Sequence, residues 1–387
     1  MGLVHNFDEI VDRRGTDSKK YNVYPEDVIP MWIADSDFKA PQPIVDALVE
    51  RMRQGVYGYT LNSSRLKKAG ANWQKERFGW DVNPDWVEFV PGVISGIISA
   101  VRALSQPGDN IVIQTPCYPP FKDLSDHNGR HLLRNELVLK DGRYEINFEE
   151  FEEMVKDTRT KLFILCNPQN PTGRVFTLEE LTRLGQLCLK YHVTVLADEI
   201  HQDIVFNEHK HIPFASISKE FEQNTVAFMN PSKTFNVPGF RTAAFIAANS
   251  VLKNGVHDII VNNKAIGENI CGTIAFYTAY ESCAYYADQM VEYLDKNCRL
   301  VEETMKGVKG IKVVSSEGTY FQWLDCRGLG MTQAELDRFF VETVKLGLNS
   351  GKSFGPEGEG FLRMNIACPR ATLEEALKRI VIAVNSL

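Results

Sequence analysis

The residue with the clearest chemical potential in this sequence is a lysine in a loop rich in proline and asparagine. Lys233 follows the apolar run 226–229, and Arg241 lies eight positions further along the chain. A lysine at the end of a buried strand is held near apolar walls, where desolvation lowers the pKa of its amine and leaves it free to attack a carbonyl group. We therefore interpret Lys233 as a Schiff-base lysine. The competing interpretation is a solvated surface lysine, which is the commoner fate of a lone Lys in a polar loop.

Three other side chains with chemical uses also come directly after apolar runs. Asp198 ends the run 193–197, so its carboxylate is expected to be poorly hydrated and to need a cationic partner. The protonated ring nitrogen of pyridoxal phosphate would be such a partner, whereas a structural aspartate would cap a helix or pair with an arginine. Tyr118, in a proline-flanked loop, could stack on a cofactor ring, and Asn170 could donate a hydrogen bond to its phenolic oxygen.

Two arginines and the start of a helix offer binding sites for anions. The turn at 91–92 precedes a predicted helix over 93–104, whose unpaired amide groups and positive end form a natural phosphate cradle. Ser232 and Arg241 could add a hydroxyl and a guanidinium group to the same phosphate. Arg363 lies inside an apolar strand, where an arginine is either paired internally or awaits a carboxylate such as the α-carboxyl group of an amino acid.

These side chains must be brought together by the elements that carry them. Apolar runs of strand length alternate with helical stretches, which predicts an α/β fold with a mostly parallel sheet buried on both faces. Ligands bind beyond the carboxyl ends of the strands in such sheets, and the side chains from Tyr118 to Lys233 all follow such runs. The predicted strands are 86–90, 111–113, 161–166, 193–197, 225–229 and 242–248.

The pattern of predicted helices and strands changes after about residue 257. Helical stretches are followed there by a predicted hairpin, 310–323, and a predicted strand, 361–366, which is typical of an α+β unit. The N-terminal arm is rich in proline and shows little helical period. We therefore assign 46–280 to a large, cofactor-binding domain and 1–45 together with 281–387 to a smaller one.

The composition narrows the class of protein. With 387 residues, 44% of them hydrophobic and 24% charged, the chain has the make-up of a globular protein with a large core. The net charge is −7 with mixed signs, which favours a small-molecule substrate over nucleic acid or an anionic membrane as partner. The longest uncharged apolar stretch, 89–101, is too short to cross a bilayer, and the eight cysteines form no CxxC pair. We expect a cytoplasmic protein with reduced thiols and no metal.

Two further motifs are set aside as imitations of functional sites. Residues 347–353 resemble a phosphate-binding loop, but the first glycine is one residue too close and no strong strand precedes it. The His-Lys-His segment at 209–211 is expected to be an exposed, solvated turn and not a metal site.

The motifs together resemble those of fold type I pyridoxal phosphate enzymes, the superfamily of class I and II aminotransferases, over nearly the whole chain. The most specific is the loop Asn-Pro-Gln-Asn-Pro-Thr-Gly at 167–173, followed by Ser232-Lys233 and by Arg241. Within this group the chain looks most like the cystathionine β-lyase and cystalysin branch of carbon–sulfur lyases. The segments that carry this closer match are 31–38, 57–60, 198–201, 231–236 and 318–320.

The resemblance implies an aspartate aminotransferase-like fold and a role for each matching residue around the cofactor ring. Lys233 would form the Schiff base with pyridoxal phosphate and would remove the α-proton once the substrate has displaced it. Asp198 would pair with the ring nitrogen, Asn170 would contact the ring oxygen and Tyr118 would stack on the ring. His201 stands where many aminotransferases have a tyrosine and is counted among the cofactor-binding residues.

The same resemblance implies residues for the phosphate group and the amino-acid substrate. Arg363 would take the substrate carboxylate, and Ala34 in the arm would also contact the substrate. A homodimer is implied as well, in which one subunit completes the active site of the other. The residues implied to hold the phosphate are Val93, Ile94, Ser232, Arg241 and Tyr59 of the partner subunit.

The chain departs from the family pattern at several positions near the site. Pro119 stands where cystalysin-like enzymes have a second tyrosine, and Ser36 replaces the methionine usual in the arm. Leu61-Asn62 replaces the common Gly-Pro, and Arg241 is more typical of aminotransferases than of cystalysin. These departures bear on the fate of the carbanion and on substrate preference.

The functional hypothesis is a carbon–sulfur β-lyase that converts cystathionine or a related cysteine S-conjugate into a thiol, pyruvate and ammonia. A class I or II aminotransferase shares every step up to the carbanion and is the first alternative. A regulatory protein that binds the cofactor and a protein partner is the second.

Overall fold

The fold is taken from a computed structural model, which describes residues 3–206, 208–265 and 267–387. The helices are α1 (Lys19–Asn22), α2 (Gln42–Arg53), α3 (Ser64–Phe78), α4 (Val93–Leu104), α5 (Pro120–Asp126), α6 (Phe148–Lys156), α7 (Leu178–Lys190), α8 (Lys219–Gln223), α9 (Ser250–Asn262), α10 (Ile270–Ser282), α11 (Ala284–Met305), α12 (Gln333–Arg338) and α13 (Arg370–Asn385). The strands are β1 (Ile29–Pro30), β2 (Val87–Val90), β3 (Asn110–Thr115), β4 (His131–Glu136), β5 (Val138–Lys140), β6 (Arg143–Glu145), β7 (Thr160–Cys166), β8 (Thr194–Asp198), β9 (Thr225–Met229), β10 (Ala243–Ile246), β11 (Lys312–Val313), β12 (Phe321–Asp325), β13 (Leu346–Gly347), β14 (Asn349–Ser350) and β15 (Phe361–Asn365).

A seven-stranded sheet forms the centre of the fold. Its strand order is β2-β10-β9-β8-β7-β3-β4, and β10 runs in the opposite direction to the other six strands. Each apolar run that the sequence predicts as a strand is a strand of this sheet. The predicted α/β fold with a mostly parallel sheet is therefore confirmed.

The sheet is covered on both faces, which explains its continuous apolar runs. In β9, Val226 and Phe228 pack into the core formed with α4 and α9, while Ala227 and Met229 pack into the core on the opposite face. Successive side chains of a strand point to opposite faces, so a strand buried on both sides needs apolar residues at every position.

Local sequence signals account for the predicted helices. The helix over 93–104 is confirmed as α4, and α7 begins with a capping box, in which Thr177 and Glu180 bond reciprocally to backbone amides. The edge strand β4 and the helix α3 were not predicted, although the side chain of Ser63 caps α3 by accepting from the backbone amide of Leu66. In β4 only Asn135 is fully buried, because an edge strand need not be apolar, and α3 is rich in Lys, Arg and Gln.

A second sheet lies toward the C-terminus, with strand order β11-β12-β15-β14. The antiparallel pairing of β11 with β12 confirms the predicted hairpin. The N-terminal arm joins this part of the chain, since β1 pairs with β13 and the amide of Asn365 donates to the carbonyl of Met31 at 2.8 Å. The division into domains at residues 46 and 281 stays a prediction.

Membrane-spanning helices and metal-binding clusters are both absent from the described residues. None of the helices there has both the length and the apolar character needed to cross a bilayer. Nor do the described residues contain a group of three or more His, Cys, Asp or Glu side chains placed to hold a metal ion.

The packing of α4 against the sheet depends on one glycine. A β-carbon added to Gly96 would lie 2.8 Å from a ring carbon of Phe228 and 3.1 Å from a methyl carbon of Val90. Because this core is close-packed, we expect Gly96→Ala to lower the free energy of unfolding by about 1–3 kcal/mol in urea titrations.

Gly255 in α9 is the matched control for this substitution. An added β-carbon there meets nothing closer than 3.8 Å, so Gly255→Ala should retain full stability or gain up to about 1 kcal/mol from helix propensity. Equal losses in the two variants would contradict the packing argument.

Candidate active site

A cavity of about 410 Å³ opens beyond the carboxyl ends of the central strands. The edge of the sheet on which it lies is where ligands bind in open α/β sheets. Most of the predicted site residues line it, although they come from distant parts of the sequence. The predicted residues in its wall are Ala34, Val93, Ile94, Tyr118, Asn170, Asp198, His201, Ser232, Lys233 and Arg241.

Lys233 reaches this cavity from the loop that follows β9. Its Nζ atom donates a hydrogen bond to the carbonyl oxygen of Ala34 at 2.7 Å. Burial, and after it the nearby charge of Arg363, lowers the pKa of the Lys233 amine to about 8, while Asp35 and Asp198 act in the opposite direction. A substantial fraction of the amine is therefore neutral, and hence nucleophilic, at mildly alkaline pH.

Asp198 is the last residue of β8 and is 4% exposed. Its Oδ1 atom accepts a hydrogen bond from the backbone amide of Ile200 at 3.2 Å, and no salt bridge to it is formed within the described ranges. Burial raises the pKa of this carboxyl group to about 6 in spite of that hydrogen bond and of the charge of Lys233. A buried carboxylate without a counterion is suited to a cationic ligand.

Tyr118 and His201 line the same cavity as Asp198. Burial, and then the charge of Asp198, raises the pKa of Tyr118. His201 is 2% exposed, and its Nδ1 atom has no hydrogen-bond partner in the part of the chain that the structure describes. Burial and the charges of Lys233 and Arg363 hold the pKa of His201 well below its usual value, so the imidazole is neutral.

An anion cradle lies at the start of α4. Gly92 precedes the helix with φ at 150°, and no side chain caps the helix, so its first amide groups face the cavity at Val93 and Ile94. Such amides and the positive helix end attract anions. Ser232 and Arg241 line the same cavity, as predicted for phosphate ligands.

Arg363 lies on β15, next to the cavity, and is 3% exposed. Its guanidinium donates to Asn170 Oδ1 at 2.9 Å, to Asn349 Oδ1 at 2.6 Å and to the carbonyl oxygen of Trp32 at 2.8 Å. Burial lowers its pKa to about 10. All of these partners are neutral, and no carboxylate of the described residues forms a salt bridge with it. The guanidinium group of Arg363 is therefore available to bind the carboxylate of a ligand.

Sequence reasoning missed Asn349, which fixes the guanidinium of Arg363. Asn349 lies inside the segment 347–353, which imitates a phosphate-binding loop. Its function follows from the pairing of β14 with β15, which places Asn349 directly opposite Arg363. A single polar residue in a two-residue strand gives no sequence signal of that pairing.

Tyr59 is the predicted site residue that the single chain does not bring to the cavity. Its side chain is fully exposed, and neighbouring apolar side chains of the same loop are exposed as well, namely Val56, Tyr57 and Leu61.

The expectation for the His-Lys-His segment was wrong at one position. His209 and Lys210 are exposed, but His211 is 8% exposed. Its ring packs at 5.3 Å from that of Phe78, and its Nε2 atom lies 3.7 Å from a carboxylate oxygen of Glu199. A histidine in a polar turn is buried here because the turn folds back onto the end of α3.

A family model and a sequence relative both match nearly the whole chain. The sequence model of the family "Aminotransferase class I and II" matches residues 26–380. Cystathionine beta-lyase PatB of Bacillus subtilis strain 168 is 40% identical to this chain, with 98% of this chain and 100% of that protein covered.

Two solved structures are similar over nearly the whole chain. Cystalysin from Treponema denticola, which contains pyridoxal 5'-phosphate, has a TM-score of 0.96 at 30% identity and covers 99% of this chain and 100% of its own. A pyridoxal phosphate-bound protein described as a possible aminotransferase from Clostridium difficile 630 has a TM-score of 0.94 at 40% identity, with the same coverage.

The pKa of Lys233 can be tested by amine labelling. The full-length chain is first dialysed against hydroxylamine, to free the amine of any carbonyl compound, and then against buffer. In pulse labelling with acetic anhydride read by mass spectrometry, we expect a midpoint near pH 8 for Lys233. Exposed lysines such as Lys161 serve as internal references in the same samples.

Arg363→Gln should raise this midpoint, because it removes the cation that disfavours a second positive charge nearby. Arg65→Gln, which removes a surface arginine paired with Glu281, is the control and should leave it unchanged. Identical profiles in both variants would contradict the charge coupling between Arg363 and Lys233.

Proposed function

We propose that this chain, which belongs to the aminotransferase class I and II family, is a pyridoxal phosphate-dependent carbon–sulfur β-lyase. Its substrates would be cystathionine or related cysteine S-conjugates. The observation that carries the proposal is the 40% identity to a cystathionine beta-lyase over the whole length of both chains.

The residues around the cavity fit pyridoxal phosphate. Asp198 is a buried carboxylate without a counterion, which suits a protonated ring nitrogen. The uncapped start of α4, together with Ser232 and Arg241, suits the phosphate group. Since Asn170 uses Oδ1 to accept from Arg363, its Nδ2 atom is the one that would donate to the ring oxygen. Lys233 would hold the cofactor covalently.

The proposed reaction assigns two tasks to the buried cations. Arg363 would bind the α-carboxylate of the substrate and so orient the Cα–H bond toward Lys233. The amine of Lys233 would then take the α-proton. Because its pKa is near 8, part of the amine is unprotonated near neutral pH and is still basic enough to accept that proton. When bound, pyridoxal phosphate supplies a ring that stores the electron pair left by that proton.

The overall reaction balances with one molecule of water. The Cα–H and Cβ–S bonds of the substrate break, the sulfur leaves as a thiol, and the remaining three-carbon unit gives pyruvate and ammonia. Tyr118 and His201 line the same cavity as Asp198 and would shield its carboxylate from water.

An aminotransferase is the second candidate. Arg241 and the likeness to the possible aminotransferase from Clostridium difficile favour it. Both reactions need Lys233, Asp198 and Arg363 in the same roles, so they differ only in the steps after the α-proton has been removed.

We further propose that the enzyme works as a cytoplasmic homodimer, with Tyr59 of the partner subunit binding the phosphate. The support is the row of exposed apolar side chains on α2 and the following loop, because contiguous exposed apolar surface marks interaction sites. These residues are Val45, Val49, Val56, Tyr57 and Leu61.

The lyase and the aminotransferase are separated by supplying cystathionine without any keto acid. We expect pyruvate to form over many turnovers, because elimination regenerates the enzyme. A single turnover that ends with the cofactor in its amine form would refute the lyase. Lys233→Ala should abolish turnover, whereas Lys253→Ala, which removes a surface lysine, should retain it.

The dimer is tested by mixing two inactive variants, Lys233→Ala and Tyr59→Ala, under conditions that exchange subunits. If Tyr59 acts across the interface, each mixed dimer has one intact site, and random exchange restores about a quarter of the wild-type sites. No recovery of activity, with subunit exchange verified by native mass spectrometry, would place Tyr59 outside the neighbouring site.

A further inference from the structure

The carbonyl oxygen of Ala34 is shared by two donors. Lys233 Nζ donates to it at 2.7 Å, and the hydroxyl group of Tyr320 donates to it at 3.1 Å. A carbonyl oxygen has two lone pairs and can accept both hydrogen bonds. Tyr320 is 1% exposed, so its hydroxyl group has no access to bulk water. The amine of Lys233 and the buried phenol of Tyr320 therefore share one hydrogen-bond acceptor.

The turn that carries Tyr320 is firmly held. The carboxylate of Glu317 is buried between Arg174, at 3.0 Å, and Arg143, at 2.6 Å. The amide of Thr319 donates to the carbonyl oxygen of Ile204 at 2.8 Å. A β-carbon on Gly318 would lie only 2.7 Å from that same oxygen, so only glycine fits there.

The aromatic ring of Tyr320 is confined as well. It packs edge to face with His201, at 5.6 Å between ring centroids, and at 4.8 Å from Phe321. The hydroxyl group therefore points to a fixed place while the arm, which has no regular secondary structure at Ala34, must be held there by such contacts.

We propose that Tyr320 is a positioning residue for Lys233, and that it acts by fixing the Ala34 carbonyl oxygen on which the lysine amine rests whenever the amine is not bonded to a carbonyl compound. Its use in catalysis rests on the proposed function.

The other charged or titratable groups that act on Lys233 come from separate elements. They are Arg363 on β15, Asp35 in the arm and Asp198 on β8, with His201 following β8. None of them donates to or accepts from the Tyr320 hydroxyl group, so Tyr320→Phe leaves their hydrogen bonds in place.

Tyr286 offers a matched control. It is also fully buried, and its hydroxyl group donates to a carbonyl of the same arm, that of Lys39, at 3.0 Å. Tyr286→Phe thus removes an equivalent hydrogen bond to the arm without touching the acceptor of Lys233. The two variants differ in whether the lost donor shares its oxygen with the lysine.

The first measurement is amine labelling of the cofactor-free, full-length chain across pH. We expect Tyr320→Phe to move the midpoint for Lys233 downward, because an Ala34 carbonyl oxygen that is no longer fixed stabilises the ammonium group less. Tyr286→Phe should leave the midpoint at the wild-type value. Thermal melts of both variants establish a temperature at which each is folded, and the profiles are compared there.

The second measurement uses the enzyme loaded with pyridoxal phosphate and cystathionine as substrate. We expect Tyr320→Phe to lower kcat by about tenfold or more, since a misplaced amine transfers the proton poorly. KM should stay within about threefold, because carboxylate binding by Arg363 is unchanged. Tyr286→Phe should keep both constants.

The two measurements separate this proposal from the proposed function. If cystathionine is not turned over even by the wild-type enzyme, the lyase assignment fails, and the labelling midpoint alone decides the role of Tyr320. Labelling profiles of Tyr320→Phe and Tyr286→Phe that coincide with the wild type would overturn the positioning role, as would an unchanged kcat in an active enzyme.

Discussion

The site depends on a row of backbone carbonyl groups in the extended segment 32–38. This segment forms neither helix nor strand, so its carbonyl oxygens must find other donors. Side chains from two distant elements supply them: Arg363 and Asn365 of β15 donate to Trp32, Ile33 and Asp35, and Lys233 and Asn236 of the lysine loop donate to Ala34, Ser36 and Phe38. Satisfying the arm therefore fixes the lysine and the arginine in one frame.

The charged groups of Lys233, Arg363 and Asp198 are not fully neutralised by opposite charges among the described residues. Burial lowers the pKa of Lys233 to about 8 and that of Arg363 to about 10, and it raises the pKa of Asp198 to about 6. Three ionisable groups held out of water are costly to the folded chain alone. Such a set is expected where ligand charges complete the pairing, which agrees with a site for a phosphate, a pyridinium nitrogen and a substrate carboxylate.

The central sheet decides where this frame can form. Asp198 ends β8 and Lys233 follows the neighbouring parallel strand β9, so both side chains emerge at the same edge. The start of α4 and the loop after β7 face that edge from either side. A cavity bounded by strand ends and a helix start can exclude water while its polar groups stay fixed, because each belongs to a rigid element.

Much of this architecture was determined by the sequence itself. Apolar runs and the turn before Val93 act over a few residues, and they predicted the strands and α4. The strand ends in turn predicted that Tyr118, Asn170, Asp198 and Lys233 share one edge, because parallel strands present their carboxyl ends together.

Only the tertiary structure decided the contacts that tune the site. Tyr320 and Ala34 are 286 positions apart, and Arg363 and Trp32 are 331 apart. Asn349 and His211 lie in polar segments that gave no sign of an ordered role, and Tyr59 has no place in the cavity of a single chain. The local pattern of apolar residues indicates which face of an element is buried. The hydrogen-bond partner of a buried polar group depends on the packing of the whole fold.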